Sequence, residues 1–391
     1  MRILHLAPDE KFIPFAFRLF NELPDVENRL VIRSLGRDRT LRHTSSLAAW
    51  RVVSRDYFVS SAMAEDLRWC DCLIVHYLEP LAATMILRAP GDVVKVWSAW
   101  GADYHQLIPE TGRPILGTQT RALVAKLQRA STGPWLRSLY ARARNQLIGF
   151  PLMRAAALRA DLYSAPIAEE FEDLRTALGP RFRARFAQLN YGDVESIFSE
   201  GASSPAGEDI LVGNSATATN NHAEAFSTLA RLDLGDRRIV VPLAYGDSDY
   251  RSAVIAQGRR MFGARFVPVT EFLSLSDYNS LIGRCAIAIM NHRRQQALGN
   301  IGTLMERGAR IVLDEHGTLF RFFTALGASV DSLQALERVG ASLPPPLQEA
   351  EQLRNRAALR KVWSAATVRR NATDFVSALE RCRITKNPRR H

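Results

Sequence analysis

Cysteine is scarce in this chain of 391 residues. The sequence has only Cys70, Cys72, Cys285 and Cys382. None has zinc-finger spacing, and Cys70 and Cys72 are one residue too close for a CxxC motif. The pattern favours reduced structural thiols, as expected of a cytosolic protein, over a metal or redox centre. We therefore expect neither a metal nor another cofactor.

Long apolar runs are also lacking. No stretch of about 18 uncharged apolar residues occurs, so no transmembrane helix is predicted. The apolar run at the N-terminus is too short for a signal peptide and is followed by charges. With 47% apolar residues, the chain is nevertheless expected to form two or three globular domains with sizeable cores.

Acidic residues are absent between Glu110 and Asp161, in a chain whose net charge is +11. That span alternates basic residues with apolar and aromatic ones, which is typical of an element that lies on an anionic membrane surface. A solvated basic helical hairpin is the alternative, and no groove-reading motif supports a nucleic-acid partner. The predicted membrane-binding residues are Arg121, Lys126, Arg129, Arg137, Arg142 and Arg144.

Strand-like and helix-like segments alternate along both halves of the chain. Such alternation predicts parallel sheets covered on both faces, and hence an α/β fold with two Rossmann-like domains facing each other across a cleft. We predict an N-terminal domain over residues 1–199, with the basic insertion at about 111–160. A polar linker at 200–208 leads to a C-terminal domain at 209–391, which ends in a long helix over 347–378.

The sequence has no Walker motif, no complete GxGxxG and no Gly-x-Ser-x-Gly elbow, which disfavours P-loop and serine-hydrolase chemistry. It does have a strand that ends in Gly213, Asn214 and Ser215, followed by small hydroxyl residues and a helix that starts near Asn221 and His222. Backbone N–H groups at such a junction suit a diphosphate. A capped strand-to-helix loop without a ligand is the alternative.

A second junction of this kind follows the strand that ends at Met290. Gly302 and Thr303 are predicted to open a helix whose N-terminus faces phosphate, and Arg293 or Arg294 to clamp phosphate oxygens. A solvated loop with an ordinary helix cap is again the alternative. Further candidates for donor binding stand at strand ends or in this loop: Tyr245, Glu271, Phe272, Asn291 and Gln296.

Asp247-Ser-Asp249 matches the DxD pattern that binds a divalent metal in some transferases. It stands in a turn before a helix, where an Asx cap is the better interpretation.

Three titratable residues lie on or after strands of the N-terminal half: His5, His76 and Asp103. A general base for a sugar hydroxyl must be an imidazole or a carboxylate of this kind. A structural role is the alternative for each of them.

Several strings occur together in an order and spacing that resemble the TDP-N-acetylfucosamine:lipid II N-acetylfucosaminyltransferases, glycosyltransferase family 56. They are Trp97-Ser-Ala-Trp-Gly-Ala-Asp-Tyr104, Ile210-Leu-Val-Gly-Asn-Ser215, Asn221-His222, Val240-Val-Pro-Leu-Ala-Tyr245 and Ile301-Gly-Thr303. The resemblance runs from about residue 1 to about residue 330. It implies a GT-B fold with the nucleotide-sugar donor on the C-terminal domain and the acceptor on the N-terminal one. It also implies a peripheral enzyme on the cytoplasmic side of the inner membrane, which extends an undecaprenyl-diphosphate-linked saccharide.

These observations lead to one hypothesis and two rivals. The hypothesis is transfer of an N-acetylfucosamine-type sugar from a TDP donor to a lipid-linked saccharide, with Asp103 as first choice of base and His76 as second. Asp103→Asn is then expected to abolish turnover and leave donor affinity nearly intact. One rival is a GT-B transferase with another nucleotide-sugar and a soluble or protein acceptor. The other is a non-catalytic membrane-binding protein on a transferase scaffold.

Overall fold

The computed structural model describes residues 1–34, 41–108, 114–130, 145–198, 205, 207–340 and 342–387. Most of the predicted linker at 200–208, and the predicted membrane-binding residues Arg137, Arg142 and Arg144, lie outside these residues. The chain divides into two compact units. The first comprises the described parts of Met1–Pro109, Leu136–Asp193 and Ala365–His391, and the second those of Glu110–Trp135 and Val194–Ser364.

The first unit is built on a parallel sheet. Its described strands stand in the order β3-β2-β1-β4-β5-β6-β7. They are β1 (Arg2–Pro8), β2 (Glu27–Arg33), β3 (Arg51–Val53), β4 (Cys72–His76), β5 (Val94–Ser98), β6 (Leu162–Ser164) and β7 (Arg185–Phe186). This 3-2-1-4-5 order is that of a Rossmann fold, whose connections diverge between β1 and β4.

Helices cover both faces of this sheet. They are α1 (Ile13–Asn21), α2 (Ser61–Trp69), α3 (Pro80–Arg88), α4 (Ala102–His105), α6 (Phe150–Ala157), α7 (Glu169–Leu178) and α15 (Ala365–Lys386). Alternate residues of each strand enter different cores. Leu4 and Leu6 pack in one core with Trp97, whereas Ile3 packs in the other with Phe375. Burial on both faces explains why these strands read as nearly continuous apolar runs.

Helix α15 packs against the first unit, and this differs from the predicted domain boundary at 209–391. Its buried residues repeat at helical spacing: Val368, Ala372, Phe375, Leu379 and Cys382. This apolar stripe needs a partner surface. It finds one beside α1 and the sheet, where Phe375 meets Phe20 with ring centroids 5.8 Å apart. The predicted helix over 347–378 is two helices, because the chain is extended at Ser364.

The second unit repeats the Rossmann pattern. Its described strands stand in the order β10-β9-β8-β11-β12-β13 and pair in parallel. They are β8 (Asp209–Val212), β9 (Ile239–Pro242), β10 (Phe266–Val269), β11 (Cys285–Met290), β12 (Arg310–Leu313) and β13 (Asp331–Ser332). The helices are α5 (Thr118–Ala130), α8 (His222–Leu229), α9 (Ser248–Phe262), α10 (Leu275–Ile282), α11 (Leu298–Arg307), α12 (Thr318–Ala325), α13 (Leu333–Val339) and α14 (Glu349–Trp363).

Residues 114–130 belong to the second unit, although the sequence suggested an insertion in the N-terminal domain. Leu123, Val124 and Leu127 of α5 pack against the core of this unit. Glu224 of α8 caps the start of α5, because its carboxylate accepts hydrogen bonds from the Gln119 and Thr120 N–H groups at 2.7 and 3.0 Å. A carboxylate at this end also complements the helix dipole.

The predicted α/β class with two Rossmann-like domains is confirmed. The sequence also predicts a strand over Val52–Val59, and this prediction is largely wrong. The strand is only Arg51–Val53, and a 3-10 turn follows at Arg55–Val59. Tyr57 and Phe58 are both buried in that turn.

Candidate functional site

The second unit has its topological switch point between β8 and β11. Connections leave these neighbouring strands in opposite directions, which opens a crevice at their carboxyl ends where Rossmann-like sheets bind ligands. Gly213, the first residue after β8, has φ +69°. A Cβ at this position would lie 2.7 Å from both Asn220 Oδ1 and His222 Nε2, so only glycine fits here.

Asn220 fixes the loop that follows β8. This residue is fully buried. Its Oδ1 accepts hydrogen bonds from the Asn214 N–H and from His292 Nε2, both at 2.8 Å. Its Nδ2 donates to oxygens of Ser215 and Thr217 at 2.8–3.1 Å. One amide therefore holds residues 213–220 in a single conformation.

A polar network crosses the ends of β8, β9 and β11. Asn214 Nδ2 donates to Tyr245 Oη at 3.0 Å, and Gln296 Nε2 donates to Asn214 Oδ1 at 2.8 Å. Gln296 Oε1 in turn accepts from Thr219 Oγ1 at 2.8 Å. Tyr245 is 52% exposed. The structure thus brings together three predicted donor-binding residues, Asn214, Tyr245 and Gln296, at the crevice. We call Asn214, Thr219, Tyr245 and Gln296 the rim network.

Four other predicted donor-binding residues lie in the interior behind the crevice: Asn221, His222 and Asn291 are buried, and Arg293 is half-buried. Asn221 is in the left-handed region with φ 51°, and its amide binds Ile115 O, Gly117 N and Asn291 O at 2.9–3.0 Å. Arg293 is bonded to Asp314 at 3.0 Å and to Pro114 O at 2.9 Å. These side chains hold residues 114–117 against the ends of β8 and β11. The donor-binding role of these four residues stays a prediction.

His222 and His292 lie side by side beneath the loop. Burial lowers the pKa of each imidazole to about 3. His222 Nδ1 is 3.2 Å from Tyr250 Oη. Both rings are therefore neutral at physiological pH, and His292 supports the loop through its hydrogen bond to Asn220.

The predicted start of the second phosphate-binding helix is wrong. Helix α11 begins at Leu298, and Gly302 and Thr303 are buried in its second turn. The unpaired N–H groups that a phosphate requires are those of Leu298, Gly299 and Asn300. Space is open around Gly299, where an added Cβ would meet nothing within 4 Å. Ala297, with φ 59°, is a left-handed residue immediately before the helix, and no sequence pattern marks this earlier start.

The remaining residues predicted to bind the sugar donor lie on the surface or under the loop. Glu271 and Phe272 follow β10, two strands from β8, and Phe272 is 82% exposed. Ser215 is buried, and its Oγ is 2.9 Å from Thr217 Oγ1. The binding role of these three residues stays a prediction.

In the first unit, a chain of hydrogen bonds crosses the switch point between β1 and β4. His5 Nε2 is 3.1 Å from Asn28 Oδ1, and His5 Nδ1 is 3.0 Å from His76 Nε2. His76 Nδ1 is 2.6 Å from Tyr191 Oη, which is 2.6 Å from Ser98 Oγ. Burial lowers the pKa of His5 to about 4 and that of His76 well below its usual value. Two residues predicted to be catalytic, His5 and His76, are thus in direct contact.

Sequence reasoning missed Asn28, Ser98 and Tyr191. Ser98 ends β5, and Tyr191 follows the last strand of the first unit within Asn190-Tyr191-Gly192. Both positions are the strand-end type that had singled out Tyr245, so a search of every strand end would have found them.

Asp103 is fully buried, and its carboxylate accepts three hydrogen bonds within the protein. Oδ1 accepts from the Trp100 N–H at 2.8 Å. Oδ2 accepts from the Leu78 N–H at 2.9 Å and from Trp97 Nε1 at 2.8 Å. Burial raises the pKa of this carboxyl, against the opposing effect of the three donors. A base must contact the substrate hydroxyl, and this geometry instead makes Asp103 a clamp between the ends of β4 and β5.

The DxD string forms a helix cap. Asp247 Oδ1 accepts from the Tyr250 N–H at 2.8 Å at the start of α9. Within the part of the chain that the structure describes, no group of three or more His, Cys, Asp or Glu side chains is placed to hold a metal ion. Among the same residues, no helix combines the length and apolarity needed to cross a bilayer.

Residues 195–330, which include the loop after β8 and the rim network, match the family model described as 4-alpha-L-fucosyltransferase, glycosyl transferase group 56. Among solved structures, the chain is similar to Anabaena HepE in complex with UDP and glucose, with 13% identity over 97% of this chain and 100% of that one and a TM-score of 0.62. It is also similar to the N-terminal domain of Candida albicans trehalose-6-phosphate phosphatase, with 10% identity, 97% of each chain covered and a TM-score of 0.61.

A third similar structure is a lipopolysaccharide outer core galactosyltransferase, with 9% identity, 97% of this chain and 99% of that chain covered and a TM-score of 0.57. At such low identity, these three structures establish the fold alone. The family match confirms, over residues 195–330, the resemblance to glycosyltransferase family 56, and it identifies the chain as a glycosyltransferase.

Proposed function

We propose that this glycosyltransferase transfers a deoxy-amino sugar of the N-acetylfucosamine type from a TDP donor to an undecaprenyl-diphosphate-linked saccharide. The observation that carries the proposal is the loop at 213–220, which lies at the switch point of the second unit and within the residues that match the family model. The diphosphate rests against Gly213, Asn214 and the first turn of α11. Tyr245 and Gln296 of the rim network contact the sugar or its phosphate, and Glu271 and Phe272 flank the nucleoside.

The first unit holds the acceptor saccharide in this proposal. Half-buried aromatic rings surround Trp100 at the carboxyl ends of its strands, and such rings commonly pack against ligands in binding sites. Ring centroids of Phe12, Tyr77 and Tyr191 lie 6.2, 5.9 and 5.5 Å from that of Trp100. His76 is the candidate base, because the carboxylate of Asp103 is buried and bound by three donors of the protein.

A transfer assay tests this function. The purified chain is given labelled TDP-N-acetylfucosamine and an undecaprenyl-diphosphate-linked saccharide in vesicles, with UDP- and GDP-sugars and a soluble saccharide as comparators. We expect label in the lipid fraction from the TDP donor alone, and the same rate in EDTA because no metal takes part. Equal transfer to the soluble acceptor, or transfer from only another nucleotide, would support the first rival. No transfer in any arm would support a non-catalytic protein.

We further propose that the enzyme works at the cytoplasmic face of the inner membrane, held by basic residues of the segment around α5. Arg121, Lys126 and Arg129 are exposed on the helix whose apolar side packs into the second unit. A basic residue near an anionic bilayer contributes about 1 kcal/mol. Three such residues together then correspond to about a hundredfold in affinity.

Vesicle flotation tests the membrane proposal. Changing Arg121, Lys126 and Arg129 together to Gln is expected to weaken binding to phosphatidylglycerol vesicles by about a hundredfold at low salt. Gln at Arg259, Arg260 and Arg265, which are exposed elsewhere in the second unit, removes the same charge and serves as control. Equal losses in both triple variants would mean that only net charge matters. Binding that resists high salt would contradict an electrostatic anchor.

A further inference from the structure

Five side chains of the first unit form a hydrogen-bonded row, in the order Asn28, His5, His76, Tyr191 and Ser98. The side chain of Asn28 fixes the direction of every hydrogen bond in this row. Its Nδ2 donates to Phe20 O at 3.2 Å and to Asn21 Oδ1 at 3.0 Å. Because a backbone carbonyl only accepts, the amide nitrogen must face Phe20, and Oδ1 must face His5. His5 therefore carries its proton on Nε2 and presents a bare Nδ1 to His76.

The positions of the other protons in the row follow from the position of the His5 proton. His76 must donate Nε2–H to His5 Nδ1, which leaves its own Nδ1 bare. Tyr191 must then donate its hydroxyl proton to His76 Nδ1, and its oxygen accepts from the Ser98 hydroxyl. The two hydrogen bonds of the Tyr191 oxygen, 2.6 Å each, are the shortest of this row. Every donor in this row points the same way, from Ser98 toward Asn28.

Tyr191 is the member of the row placed to meet a ligand. His5 and His76 are 1% and 3% exposed, and Ser98 is fully buried. Tyr191 is only half-buried and packs edge-on against the half-buried Trp100 at 5.5 Å between centroids. A ligand can therefore contact Tyr191 at the aromatic cluster but cannot reach the imidazoles behind it.

We propose that Tyr191 is the catalytic residue that takes the proton from the acceptor hydroxyl, and that His76 relays this charge to His5. This inference rests on the proposed sugar transfer, and it revises the part of it that makes His76 the base in contact with the acceptor.

The proton moves in balanced steps. As the acceptor oxygen forms its bond to the sugar carbon, the bond from that carbon to the diphosphate breaks and TDP leaves with the electron pair. The acceptor proton passes to Tyr191 Oη, the tyrosine proton to His76 Nδ1, and the His76 Nε2 proton to His5 Nδ1. His5 becomes an imidazolium whose Nε2–H stays on Asn28 Oδ1. Ser98, which donates to the tyrosine oxygen, stabilises the negative charge that develops there.

Tyr191→Phe tests the catalytic part, because it removes one oxygen and keeps the ring against Trp100 and His76. We expect kcat to fall by at least a hundredfold, since general-base help is typically of this size or larger, with the KM for the donor unchanged. Tyr163→Phe is the control, since Tyr163 is a fully buried tyrosine of the same unit outside this row. A kcat within threefold of wild type in a folded Tyr191→Phe variant would overturn the proposal.

Asn28→Asp tests the end of the relay. A carboxylate on His5 Nε2 favours the imidazolium and raises the pKa of His5 from about 4. Because the relay needs a neutral His5, the acid limb of the pH profile of kcat should shift to higher pH by at least one unit. His76 faces His5, and Tyr191 faces His76. Burial raises the pKa of Tyr191, and the charge of Asp103 outside the row adds to this effect. An unmoved acid limb would remove His5 from the mechanism.

Nitrogen-15 spectra of the histidines separate the relay from the proposed transfer. At neutral pH, both His5 and His76 should be the Nε2–H tautomer. Any other tautomer would overturn the relay whether or not transfer is seen. If the tautomers are as expected but the wild type transfers sugar from no donor, the proposed function is refuted. The catalytic role of Tyr191 is then refuted as well.

Discussion

Replacing Asp103 with Asn is expected to lower the free energy of unfolding of the first unit by about 3–5 kcal/mol, because its carboxylate accepts three buried hydrogen bonds. Asparagine has one acceptor oxygen, so its NH2 group must face at least one of the donors from Leu78, Trp97 or Trp100. Turnover should be lost with this destabilisation. TDP affinity should persist, because the donor loop lies in the other unit.

Calorimetry measures this loss as a fall of roughly 10 °C in the unfolding temperature of the unit that contains Asp103. Asp92→Asn makes the same charge change at an exposed position of the same unit and should have little effect. A variant of Asp103 that unfolds at the wild-type temperature yet does not turn over would restore this residue as the general base.

Asn220→Asp is expected to weaken TDP binding by at least a hundredfold. The new carboxylate has no N–H to donate, and it faces the carbonyl oxygens of Ser215 and Thr217 that Asn220 Nδ2 now binds. The loop after β8 would lose its conformation, and the added negative charge would repel the diphosphate. Titration calorimetry with TDP measures both effects together.

Two further variants separate shape from charge. Asn220→Ala removes the same hydrogen bonds without a charge and should still cost at least tenfold in affinity. Gln257→Glu introduces an acid near the carboxyl end of α9 and should leave affinity unchanged. If Asn220→Ala binds TDP as the wild type does, the conformation of the loop is not what recognises the diphosphate.

The fold was predictable because its signal is local and repeated. Each buried strand, such as Cys72–His76 or Cys285–Met290, is a short apolar run between helix-like segments. The domain assignments of helices α5 and α15 were wrong for the same reason. Sequence order does not show which unit an amphipathic helix packs on. Helix α5 and helix α15 both pack away from their neighbours in sequence, since their apolar faces match the second and the first unit respectively.

The site was predictable where strand ends carry it. Asn214, Tyr245 and Gln296 came together because parallel strands end at one edge of the sheet. Burial was not predictable, and it decides the roles of Asp103 and Asn221, whose side chains are hydrogen-bonded inside the protein. The start of α11 depended on a left-handed alanine, a conformation that alanine rarely adopts.

The central claim is that the carboxyl ends of β8 and β11 hold the nucleotide diphosphate. Amide hydrogen exchange of the wild-type protein, with and without TDP, tests it most directly. We predict that TDP slows exchange in peptides covering residues 210–222 and 291–301 and leaves residues 72–77 unchanged. Exchange that is unaffected in both of the first two segments, or slowed only in the first unit, would contradict this account.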